Sequence, residues 1–166
     1  MTARGEIGRL LLGAEDTAKP GGIGTVRFVV KCSGNAIDIL ERAKKVLEKV
    51  LRAPTAPWPS LDEWRRVLPS WFVERCAPEI SQEEQEQRLR LPIDERQRLI
   101  EEEGWRLSAW LFWFQPEERQ WAWWDAIVKD DDTIITAIEV DGWPFPWGSL
   151  KWLLLACGAV SVEAEE

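Results

Sequence analysis

Apolar and polar positions change their period along this chain, and the changes mark out its elements. Near the N-terminus, residues 7–12 carry Ile7 and three consecutive leucines. Further on, Val26, Phe28 and Val30 alternate with Arg27 and Lys31. Both stretches read as strands, over 7–12 and 25–31, the second half-buried. Between them Lys19-Pro20-Gly21-Gly22-Ile23-Gly24 is a flexible connection. It precedes a strand instead of opening a helix and lacks the Lys-Ser/Thr of a phosphate loop, so it is not a phosphate cradle.

From Asn35 to Arg52 the spacing becomes helical. Ile37, Leu40, Leu47, Val50 and Leu51 form one stripe, and Glu41–Lys45 and Glu48–Arg52 are spaced for ion pairs. Pro54, Pro57 and Pro59 forbid continuation. Ser60 with Glu63, and Ser81 with Glu84, are capping-box signals for two further starts. The first begins a short helix that Pro69 interrupts and that resumes over 71–76. The second begins a polar helix reaching Arg90, and after Pro92 a helix over 94–103 ends at Gly104.

At Trp105 the pattern turns to aromatic and β-branched runs: 105–114, 121–128 and 133–141. Their short connections imply antiparallel hairpins. Pro144 and Pro146 end the third run, 147–157 is an amphipathic helix, and 159–162 makes a last short strand. The predicted class is therefore α+β, one domain over 1–166. Residues 1–53 hold strands and a helix, 60–103 are helical, and 105–166 form a three-stranded antiparallel meander followed by a helix, in αβββα(β) order.

Composition alters this picture in a few places. The chain has 166 residues and no histidine, which excludes Ser-His-Asp and Cys-His catalysis and His-bound zinc or iron. Cys32, Cys76 and Cys157 are odd in number and share no metal-ligand spacing. They read as buried free thiols of a reducing compartment, hence a cytoplasmic location. The longest apolar run, 152–156, is too short to span a bilayer, and the start lacks a signal peptide's apolar region.

The net charge is −8, and residues 105–166 carry nearly all of it, with eleven acids against Arg106, Arg119, Lys129 and Lys151. Nine of the 12 tryptophans fall in the same stretch. Most Trp rings belong in a core. However, Trp121, Trp123 and Trp124 crowd one strand, and buried indole N–H groups need acceptors. The excess points to an exposed recognition surface, since Trp anchors and clustered acids suit docking on a basic protein and repel nucleic acid. Trp123, Trp124, Trp143 and Trp147, with Asp130, Asp131 and Asp132, are the expected binding residues. Stacking of such rings on a sugar or another small ligand is an alternative.

A helix, three antiparallel strands, a helix and a short strand, with Asp125 on the second strand and Glu139-Val140-Asp141 on the third, resembles the core of the PD-(D/E)xK nucleases. The resemblance spans about residues 94–162. It implies a metal-dependent nuclease or phosphodiesterase in which Asp125 and Glu139 hold Mg²⁺ to activate a water. Asp141 stands where that family places its lysine. Asp125 and Glu139 share a face only in one of two registers. The alternative is that Asp130, Asp131 and Asp132 are turn residues and that Glu139 and Asp141 are a solvated strand edge.

Overall fold

The computed structural model describes residues 3–15 and 17–165. Its first element corrects the sequence reading: residues 3–12 form a helix, α1 (Ala3–Leu12), where a strand over 7–12 was expected. Three adjacent leucines have no alternation, and a short apolar run cannot be told from a helix segment by period alone. Tertiary packing decides it. Leu10 is fully buried, whereas Leu12 is 90% exposed.

After a loop, β1 (Gly24–Lys31) forms as its alternation predicts, and α2 (Ala36–Arg52) follows. The helix buries Ile39, Leu40, Ala43, Val46, Leu47 and Val50 along one face, while Ile37 of the predicted stripe stays exposed. α3 (Leu61–Val67) opens with a complete capping box: Ser60 Oγ accepts from Glu63 N at 3.2 Å, and Glu63 Oε2 from Ser60 N at 2.9 Å. α4 (Ser70–Arg75), α5 (Gln82–Leu89) and α6 (Ile93–Glu103) follow, with Ser81 Oγ capping α5 at 3.1 Å.

Gly104 ends α6 at φ 82°, and a Cβ there would lie 2.5 Å from the Trp152 ring. Both backbone and space demand glycine. Gly104→Ala should therefore lower stability by roughly 1–3 kcal/mol, read as a drop in the denaturant midpoint with an unchanged slope.

The second correction concerns residues 105–114. They contain a helix, α7 (Leu107–Phe112), and no strand. Leu107, Trp110, Leu111 and Phe114 are all buried, and their spacing is that of one helix face. The density of aromatic side chains suggested a strand, but their positions fit a helix.

The predicted three-stranded meander is thus a hairpin of β2 (Trp121–Asp130) and β3 (Thr133–Val140), joined at Asp131-Asp132. α8 (Gly148–Ala156) follows, then β4 (Ser161–Ala164). The sheet order is β2-β3-β1-β4, antiparallel throughout, so the early strand β1 is an inner one.

One sheet face carries Phe28, Val30, Ile134, Ile138, Trp121, Trp123 and Val162 into a continuous buried cluster with α2, α7 and α8. Ser149 answers part of the indole problem. Its carbonyl accepts Trp110 Nε1–H at 2.9 Å, and its hydroxyl accepts Trp121 Nε1–H at 3.1 Å. Trp64, Trp123 and Trp152 keep buried indole nitrogens without an acceptor among the described residues.

Both sheet edges are managed. β4 is only four residues long. α1 lies along β2, where the outward main-chain groups of Trp123 meet side chains of the helix. Glu6 Oε1 accepts from Trp123 N at 2.7 Å, and Arg9 Nε donates to Trp123 O at 3.4 Å.

Candidate functional site

The turn of three aspartates is built into the fold. Asp132 O accepts from Cys32 N at 2.7 Å, Asp131 O from Ala36 N at 3.1 Å, and Asp132 Oδ1 from Gly34 N at 2.8 Å. The β2–β3 turn is thereby fastened to the start of α2, whose unpaired N–H groups favour nearby negative charge. Asp130 Oδ1 accepts from Asp132 N at 2.9 Å. The turn reading holds for Asp131 and Asp132, whereas Asp130 ends β2 opposite Thr133; all three remain exposed.

The expected tryptophans do not join them. Trp123 has no exposed surface, so its ring belongs to the core. Trp124 is half-buried at a bulge of β2, with the Arg9 guanidinium 4.7 Å from its ring centre. Trp147 packs on Phe28 at 4.8 Å beside Lys151. Trp143 is 56% exposed and meets Phe145 edge-on. It follows the far end of the eight-residue β3, about 25 Å along the strand from the aspartates. Seven residues expected on one surface are thus divided between the core and opposite ends of the sheet.

The carboxylates tell a different story. The bulge at Trp124 sets Asp125 opposite Ala137, with Ala122 opposite Glu139, so Asp125 and Glu139 share the sheet's outer face. Each is already engaged. Asp125 Oδ1 accepts from Ala126 N at 2.9 Å, and Glu139 Oε2 accepts from Gly21 N at 2.8 Å. The loop between α1 and β1 crosses over them and buries Glu139 and Ala122. Asp141 lies exposed beyond the strand end. No group of three or more acids or cysteines among the described residues is arranged for a metal ion. The element order behind the nuclease resemblance also lacks its first strand, because 107–112 is helical.

Thiol chemistry is no better placed. Burial pushes Cys157 up to about 12 and Cys76 up to about 11, and burial with the Asp132 and Asp130 charges raises Cys32. At neutral pH all three are protonated, hence poor nucleophiles.

Comparison with family models, curated proteins and solved structures gives no match. Function must therefore be argued from geometry.

Beyond the loop, the outer face of the sheet is open. Ile127 of β2 pairs with Ile135 of β3, and Ile135 with Val29 of β1, making a cross-strand apolar row. Ile127 is 60% exposed. Around the row stand Lys31, Lys129 and Glu163, and Arg27 is bonded to Glu165 at 3.0 Å. The aspartate turn closes one end. The row holds no aromatic residue and so stands outside a reading built on tryptophans. The available signal was alternation: Ile127 and Ile135 occupy the strand face opposite Val128, Ile134 and Thr136. Among the described residues, no helix is long and apolar enough to cross a membrane.

Proposed function

We propose that this chain is a protein-binding module, an accessory or inhibitory subunit that lays its open sheet face on the basic surface of a larger protein. The observation that carries this reading is the cross-strand row Ile127–Ile135–Val29, with Ile127 60% exposed, on the same hairpin as the exposed acids Asp130, Asp131 and Asp132, whose turn is fastened by hydrogen bonds to the start of α2. An apolar centre supplies affinity, and fixed charges at the rim steer approach without a large ordering cost. Three free cysteines suit a reducing compartment such as the cytoplasm. The metal-dependent alternative has less support, since Glu139 is spent on Gly21 N–H.

The test is capture of a partner from the native cell, then binding of the purified pair. Ile127→Lys should weaken binding about tenfold or more while leaving the thermal midpoint near that of the parent, because the side chain is already exposed. Asp130→Asn with Asp131→Asn should slow association and flatten its salt dependence. If Ile127→Lys binds the same partner as tightly as the parent does, this surface is not the interface.

A further inference from the structure

A second site lies on the helical side of the molecule, away from the sheet's open face. α5 and α6 form a polar arm that buries no residue of its own. The apolar side chains they carry are left out of the core: Leu89 is 67% exposed, Ile93 71% and Ile100 41%. All three line a cleft of about 500 Å³ whose opposite wall is Trp105, Ala109 and Trp113. That volume is within the range of small-molecule sites. Aliphatic groups on one wall and indole rings on the other suit a hydrocarbon or aryl body.

Three arginines line the same cleft, in a chain of net charge −8. Arg88 is committed, with Nη1 2.9 Å from Glu103 and Nη2 3.2 Å from Glu84. Arg96 and Arg106 make no ion pair or side-chain hydrogen bond among the described residues. The Nε of Arg96 is buried with no acceptor. A buried donor left unpaired is costly, and a guanidinium fork matches a carboxylate in both shape and charge. Arg96 with Arg106, set against one already paired Glu103, leaves a local positive excess suited to a singly charged anion.

We infer that this cleft binds a small amphiphilic carboxylate. Its apolar body lies between Ile93 and Ile100 of the arm and Trp105 and Trp113, and its carboxylate lies on Arg96. The occupant is a small molecule instead of a docked helix, because a cleft of about 500 Å³ matches a single small ligand. The site is independent of the open sheet face and makes no demand on it.

Calorimetric titration of the full chain with decanoate, decanol and acetate separates the contributions. Saturable decanoate binding is expected, about tenfold tighter than decanol, with acetate weaker than either. Arg96→Gln should bring decanoate down to the level of decanol. Leu89→Asp changes an exposed wall residue and so should fold normally, yet it should also lose decanoate binding. Arg98→Gln, an exposed arginine outside the cleft, should bind as the parent does. The inference is overturned if decanoate does not saturate, if decanol binds equally well, or if Arg96→Gln and Leu89→Asp both bind decanoate like the parent.

Discussion

Replacing Trp110 by alanine is expected to destabilise the fold by about 4 kcal/mol or more, enough to leave a domain of ordinary stability marginal. The ring has no exposed surface, and its neighbours fix why the loss is large. Phe72 lies 4.8 Å from it and Phe114 4.5 Å, both tilted, so truncation opens a cavity against two aromatic rings. The Ser149 carbonyl, 2.9 Å from Nε1, also loses its indole donor. Trp110→Phe keeps most of the volume and should lose less. Urea unfolding of both variants checks the ordering, and equal losses would show that the hydrogen bond, not the packing, dominates.

The second large effect is expected at Glu6. Its carboxylate is buried and accepts from both Trp123 N–H and the Arg119 guanidinium. Removing it strands a mostly buried charge and an edge-strand donor together. Glu6→Ala should cost roughly 3–5 kcal/mol, with little dependence on salt, since a buried pair is poorly screened. Glu6→Ala with Arg119→Met should be less harmful than Glu6→Ala alone, because no orphaned charge remains. Chemical denaturation of the two single variants and the double variant measures this coupling, and simple additivity would show that the pair does not interact.

Glu6 also illustrates what the sequence left illegible. In a linear reading it is one of many acids in a stretch taken for a strand. Its role depends on Trp123, 117 residues away, and on Arg119. The elements that could be read were those with local signals. The alternation of Val26, Phe28 and Val30, the capping boxes at Ser60 and Ser81, and Gly104 after α6 each depend on neighbours in sequence. The region 105–114 was misread because aromatic content outweighed the spacing of Leu107, Trp110, Leu111 and Phe114.

The candidate site was less legible for a related reason. Trp123 lies in the core because of its place in the sheet's register, whereas Trp143 follows the end of β3 and stands in solvent, and neither position has a local signal in the sequence. The bulge at Trp124 settled the shared face of Asp125 and Glu139. The aspartate turn was recognisable as a turn, whereas its attachment to Cys32, Gly34 and Ala36 joins segments about a hundred residues apart.

The position of α1 beside β2 bears on self-assembly. A hairpin of β-branched and aromatic residues with a free edge is a template on which another copy can add a strand. Here that place is taken by a segment of the same chain, anchored by Leu10 in the core and by Glu6 and Arg9 on the Trp123 backbone. A tethered segment acts at a high effective concentration. The N-terminal helix therefore occupies the stretch of β2 edge, at Trp123, where both outward main-chain groups would otherwise be open to a further strand.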